Sequence, residues 1–213
     1  IVGEAFKVAA TVDAIKTHGR AKETAYALAK TLKALKLDVE KAYIGVDQAV
    51  VAGNASTGRK MASASNMIST ALDAGTNATD ALTEAKLLAL HQTCYENGSD
   101  PSVLMVKPAD ASIVASFAKA SSRQRDIAAS KTLTNAIEVL VTPFGTVRVL
   151  INRSNLATHA FLIDPSMWKQ AVLRPFTRTL LAKNGDADTH FVVGEVSLKH
   201  SNFGSCGKIT GLS

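Results

Sequence analysis

Cysteine is almost missing from this chain. Cys94 and Cys206 are the only two, neither sits in a C-x-x-C pair, and no histidine stands beside them at zinc-ligand spacing. That argues against a disulfide scaffold or a zinc module and fits a chain made in a reducing compartment. Aromatic residues make up only 5%, so a core must be built from Ala, Val, Leu and Ile. Long hydrophobic runs are absent too. The densest, Ile137–Val141 and Val147–Ile151, have the length of strands and fall far short of the roughly 18 residues that cross a bilayer. No charged-then-apolar leader opens the chain. Methionine does not occur before Met61, with Ile1 in first place, which predicts a processed or truncated product.

What is present is an ordinary globular balance: 213 residues, 46% hydrophobic and 20% charged, enough for one large or two small domains. The net charge of +6 comes from 24 basic and 18 acidic side chains, and it is spread along the chain with no Arg-rich tail. The one local excess is Lys119, Arg123, Arg125 and Lys131 against Asp126, in a Ser- and Ala-rich segment. It reads as a solvated loop, with a nucleic-acid or neighbouring-subunit contact as the alternative. The N-x-S/T triplets at Asn54, Asn77, Asn97 and Asn152 carry no weight without a secretion signal.

Periodicity organises the chain. Phe6, Val8, Ala10 and Val12 alternate with Lys7, Ala9, Thr11 and Asp13, which predicts a strand with one buried face. A long helix is predicted from Ala21 to Tyr43, because Leu28, Leu32, Leu35, Val39 and Ala42 draw one apolar stripe and the interior holds no Gly or Pro. At about 1.5 Å per residue it exceeds 30 Å and looks like a structural beam. Met61, Ser65, Ile68 and Leu72 suggest a short amphipathic helix. Asp80 is the expected cap of a helix running to Tyr95, with Leu87, Leu90 and Cys94 inward and Asn97-Gly98 as its stop. Then come a short buried strand at Ser102–Val106 and a helix starting at Pro108 with Ile113 and Phe117 on one face. A polar connection, Ala118–Asn135, leads to a hairpin in which Ile137, Val139 and Val141 and then Val147, Val149 and Ile151 flank a turn at Thr142–Gly145. Further strands are predicted at Phe161–Ile163 and Phe191–Leu198, separated by a mixed segment, Trp168–Leu181, and the turn Asn184-Gly185-Asp186. Helices and strands do not interleave regularly, so the class is α+β.

Site chemistry is hard to find. Gly204-Ser205-Cys206-Gly207-Lys208-Ile209 superficially resembles a phosphate loop, but Asn202 stands where the first Gly belongs, Ile209 where Ser or Thr belongs, and no helix follows. His18, His91, His159, His190 and His200 form no H-E-x-x-H or H-x-H pattern. His190 and His200 bracket one strand, roughly 30 Å apart, and solvated or capping roles are expected for all five. Cys94 sits on an apolar helix face, as a core residue does. No G-x-S-x-G elbow occurs and carboxylates are scattered. No catalytic residue, cofactor or metal ligand is assigned; the expectation is that the chain is not an enzyme.

The order of segments, however, resembles a family. Val12-Asp13-Ala14-Ile15 to His18-Gly19-Arg20, followed by Ala21–Glu40 ending in Leu37-Asp38-Val39-Glu40, is similar to the major head proteins of tailed phages, specifically the SU-10 group, which is assigned the Hong Kong 97-type capsid fold. In that family a strand returns from an extended loop and enters a spine helix through a Gly-Arg step. Ala52-Gly53-Asn54-Ala55 with Arg59-Lys60, Gly98-Ser99-Asp100-Pro101 through Val106-Lys107-Pro108, and Phe144-Gly145-Thr146-Val147 with Asn152-Arg153 follow in the family's order. So do Leu173-Arg174-Pro175-Phe176, Leu181-Ala182-Lys183-Asn184-Gly185-Asp186 and Val193-Gly194-Glu195-Val196-Ser197-Leu198. The departure is at the start, where the arm and most of the extended loop are missing ahead of Ile1.

The resemblance implies a major capsid protein of the virion, made in the host cytoplasm, that assembles as hexamers and pentamers into an icosahedral shell around phage double-stranded DNA. DNA would meet the inner face without sequence reading; portal and decoration proteins would be further partners, and membranes would not. It also implies a division into a returning strand (1–20), a peripheral domain with the spine helix (21–75), an axial domain (76–165) and C-terminal strands returning to the peripheral domain (166–213). Leu28, Leu32, Leu35 and Val39 would pack the spine helix, and Lys119, Arg123, Arg125 and Asp126 would meet neighbouring copies at the capsomer axis. The alternative is a soluble basic nucleic-acid-binding protein using Lys119, Arg123, Arg125 and Lys131.

Overall fold

A computed structural model describes residues 1–15, 19, 22–75, 81–120, 139–155, 157–183 and 185–212, the side chains of 118–120 excepted. The chain divides into two compact units, residues 1–42 with 170–199, and residues 43–169 with 200–213. Residues 43–75 and the tail after Lys199 belong with the 81–169 segment. Contacts distant in sequence, described below, tie them there.

The first unit holds the long helix α2 (Glu23–Ile44) and a three-stranded sheet of β1 (Val2–Ala9), β7 (Ala187–His200) and β6 (Trp168–Leu180), in the order β1-β7-β6. β1 (Val2–Ala9) pairs antiparallel with β7 (Ala187–His200), Val2 opposite Gly194 and Val8 opposite Asp188. The strand stops at Ala9, short of the expected Val12, because Ala10–Ala14 turns into a short helix, α1, which leaves Val12 exposed. Helix α2 spans Glu23–Ile44, 22 residues and about 33 Å. Its first turn is served from outside: the Asp13 carboxylate accepts the Thr24 backbone N–H at 3.1 Å and the Thr24 hydroxyl at 2.8 Å. This satisfies one of the donors that every helix start leaves open. The backbone N–H of Thr24 is also the main reason the Asp13 carboxyl titrates below its usual range.

The second unit is built on a five-stranded sheet, β3-β4-β2-β5-β8. Its strands are β2 (Val103–Val106), β3 (Val139–Thr142), β4 (Gly145–Ile151), β5 (Ala160–Ile163) and β8 (Gly207–Ile209). The β2–β4 pair is parallel and the other neighbours are antiparallel. Helices α3 (Ala64–Met67), α4 (Glu84–Glu96) and α5 (Pro108–Ala120) and a 3₁₀ turn at Thr70–Leu72 supply the rest of the core. Leu87, Leu90 and Cys94 of α4 are buried with Leu104, Phe161 and Leu162 of the sheet. Each such side chain contributes about 1.5–3 kcal/mol by leaving water.

Local signals act as expected at some places and differ at others. Helix α4 is capped by Thr83, whose hydroxyl accepts the Lys86 N–H at 3.3 Å; the expected cap, Asp80, lies outside the described residues. Gly98 ends the helix at φ 77°, a conformation costly for any residue with a Cβ. In the 61–72 segment the amphipathic pattern yields the four-residue α3 and a separate 3₁₀ turn, both delivering their apolar residues, Ile68 and Leu72, to the core. The hairpin forms where predicted: its second strand buries Val147 as expected and leaves Ile151 exposed, while its first strand turns Leu140 and Thr142 inward and leaves Val139 and Val141 51% and 60% exposed; Ile137 lies outside the described residues. On α5, Val114 and Phe117 are buried and Ile113 is only half-buried.

The C-terminal segment closes this unit. Strand β8, too short for its periodicity to announce it, adds Gly207–Ile209 to the β5 edge. The Asp73 carboxylate accepts Thr210 N–H at 3.1 Å and the Thr210 hydroxyl at 2.8 Å, and Leu212 N–H donates to the Thr158 carbonyl at 3.0 Å.

Candidate subunit interface

The most exposed regular element is β6, Trp168–Leu180. Its sequence predicts only a mixed segment, because Pro175 interrupts it and apolar residues follow no single alternation. The structure makes it a 13-residue strand. Val172, Phe176, Thr177 and Thr179 favour extended backbone. Pro175 is tolerated because β6 lies at the sheet edge, where a missing N–H breaks no ladder on the open side.

Every residue from Lys169 to Leu180 is exposed, including Val172 (54%), Leu173 (72%) and Leu180 (55%). A long edge strand with apolar side chains open to water is an invitation to pairing that proteins otherwise cover or break. The side turned to β7 is firmly held. Leu181 N–H donates to the Thr189 carbonyl at 2.8 Å, Arg174 Nε donates to Glu195 Oε2 at 3.0 Å, and Lys183 Nζ lies 2.9 Å from Asp188 Oδ1. The hydrogen bond to Asp188 raises the Lys183 pKa. The Phe176 ring lies over Gly194, so closely that a Cβ there would meet ring carbons at 2.7–2.9 Å. Strand β6 is therefore a fixed ledge with one open edge.

Among the anticipated spine residues, Leu35 and Val39 are buried, and Leu28 and Leu32 are half-buried. Thr31 completes the buried stripe of α2 and was missed, since a Thr does not register in an apolar count. Lys119 stands in the last turn of α5. Its side chain, like Arg123, Arg125, Asp126 and Lys131 altogether, lies outside the described residues.

The histidines overturn expectation. His91, His159, His190 and His200 are all buried; His18 lies outside the described residues. His91 Nδ1 is 3.0 Å from the Thr142 hydroxyl, and that hydroxyl donates to the Gly145 carbonyl, so Nδ1 carries the proton. Burial lowers the pKa of both His91 and His159. His190 packs on Phe6, ring centroids 5.2 Å apart. Cys94 is fully buried, and desolvation pushes its thiol up to about 12, which makes it inert. Lys208, the lysine of the phosphate-loop look-alike, is buried and donates to the Ser65 carbonyl at 2.8 Å. These groups hold the fold together; none is arranged for chemistry.

The SU10 major capsid protein family matches residues 1–213. A major capsid protein of Escherichia phage Phieco32 is 29% identical over 122 residues, 56% of this chain and 35% of the relative. The chain thus spans about a third of that relative's length. The SrpI encapsulin of Synechococcus elongatus aligns with a TM-score of 0.68 at 8% identity, covering 100% of this chain and 73% of its own. The capsid protein of cyanophage A-1(L) aligns with a TM-score of 0.66 at 12% identity, covering 99% and 77%. The chain belongs to the SU10 major capsid protein family, and its α+β fold is of the Hong Kong 97 type.

Proposed function

We propose that this chain is the folded body of a shell-forming subunit, assembling with copies of itself as hexamers and pentamers into the head of a tailed phage around double-stranded DNA. The observation that carries the reading is the family match along all 213 residues; capsid and encapsulin neighbours support it through the fold. The exposed ledge of β6 supplies a surface whose apolar side chains gain by being covered, as subunit packing would do. In this reading its work is packing rather than catalysis. The unit carrying α2 and β6 takes the peripheral role and the unit carrying the five-stranded sheet takes the axial role. Lys119, Arg123, Arg125 and Asp126 meet neighbouring copies at the capsomer axis, where like charges need carboxylate or ionic partners. DNA meets the inner face through its phosphates, without sequence reading, and portal and decoration proteins complete the virion.

Negative-stain microscopy of the full-length protein tests the reading. Closed shells or ring-shaped capsomers are expected. A monomer at all concentrations that shifts DNA in a salt-dependent way would overturn it in favour of a nucleic-acid-binding protein.

A further inference from the structure

His200 ends β7 and Trp168 begins β6, so the pair stands at the root of the β6–β7 hairpin, and both residues belong to the second unit. Their rings stack at 4.0 Å between centroids with a 9° tilt, and Ser201 N–H donates to the Met167 carbonyl at 3.0 Å beside them. Hydrogen bonds fix the protonation of the imidazole. The Ser205 hydroxyl donates to the Asn202 carbonyl at 2.8 Å, so at 3.2 Å it receives a proton from His200 Nε2. The proton is therefore on Nε2, and Nδ1 is buried without a hydrogen bond of normal length, the Met67 carbonyl being the backbone group that acts on the ring.

We propose that His200 is a proton-operated latch on the root of the β6–β7 hairpin: neutral, it clasps Trp168 and holds the two strand ends together; protonated, it lets them part.

The surroundings decide the direction. On β6 the Trp168 face, stacked on the ring at 4.0 Å, attracts a cation, and its indole N–H donates to Cys206 Sγ at 3.1 Å. From α3 the Met67 carbonyl also favours a proton. Titratable groups around the pair are Cys206 and Asp164, with Lys199 and Lys169 as the chain neighbours of His200 and Trp168. The Asp164 backbone N–H reaches the same sulfur at 3.4 Å, while its carboxylate accepts Ser166 N–H and hydroxyl at 3.0 and 2.7 Å. Cys94 lies deeper, fully buried. Phe203 meets the imidazole edge-on at 5.7 Å. No charged side chain among the described residues contributes to the shift, and desolvation prevails, lowering the pKa of the closed form. An opened root returns the ring toward its ordinary value near 6.5, so the opened form takes up the proton first. Falling pH then shifts the population from clasped to open.

Trp168 is the sole tryptophan, so intrinsic fluorescence reads the clasp directly. In the full-length protein titrated from pH 8 to pH 4.5, a fluorescence change is expected below about pH 6.5. Hydrogen exchange at the Ser201 amide, corrected for intrinsic rate, should accelerate over the same range by up to about tenfold per pH unit. The β5 amides should stay protected. In His200→Phe, which keeps a ring on Trp168 and cannot titrate, both changes should vanish. Should that variant fail to fold, NMR titration of His200 in the unaltered protein decides, since its midpoint must coincide with the fluorescence change. A transition that persists in His200→Phe, constant Ser201 protection, or a His200 titration without effect on Trp168 overturns the latch.

Discussion

Lys208 and Ser65 lie 143 positions apart, yet the Lys208 ammonium donates to the Ser65 carbonyl at 2.8 Å in a buried setting. A charge is taken out of water there to tie the last strand to α3. Replacement by Met should keep the volume and strand the carbonyl without its donor. We expect Lys208→Met to cost about 1–3 kcal/mol, read as a lower midpoint in urea denaturation; an unchanged midpoint would contradict a structural role for this lysine.

Gly75 is the second tie. A Cβ there would come within 2.7 Å of the Thr210 backbone N–H and would press on its carbonyl as well. Backbone cannot swing aside as a side chain does. Gly75→Ala should therefore separate Asp73 from Thr210 and destabilise the protein by about 1–3 kcal/mol. Thermal melting measures the loss, and faster exchange at the Thr210 amide, which donates to Asp73, would locate it.

Acid should weaken the second unit. Burial holds the His91 and His159 pKa below 6.5 in the folded chain. The unfolded chain then binds more protons in this range, so stability is full above pH 6.5, falls as pH drops toward the folded values, and levels off below them. For each histidine the loss is limited to about 1.4 kcal/mol for every tenfold by which folding weakens its proton affinity. Asp110 works in the opposite sense, because burial raises its pKa and favours the folded state as it protonates. The urea midpoint in an Asp110→Asn background should fall between pH 7.5 and pH 5.5, and fall less when His91→Gln is added. A midpoint independent of pH would refute this.

Assembly should fail where folding does not. Leu173 is 72% exposed on the β6 ledge, so Leu173→Asp should change subunit stability by no more than about 0.5 kcal/mol. In the full-length protein the same substitution should abolish or strongly reduce shells in microscopy and sedimentation. Shells of unchanged yield would remove β6 from the interface.

The sequence by itself determined what depends on near neighbours. The stripe Leu28–Val39 specified α2, Leu87, Leu90 and Cys94 specified the inner face of α4, and Asn97-Gly98 stopped it, because helix period and caps act within a few residues. The hairpin between Val139 and Ile151 was legible from its alternation and turn. Which face its first strand buries was not, since Leu140 and Val141 are equally apolar and only the elements packed against the sheet choose between them. Strand β6 was hidden because an edge strand open on its faces has no burial pattern to display. The burial of four histidines and of Lys208 was equally out of reach: their partners, Thr142, Phe6, Trp168 and Ser65 among them, stand up to 184 positions away in the chain. Local pattern sets the elements; which polar groups leave water is decided only when distant segments bring them partners.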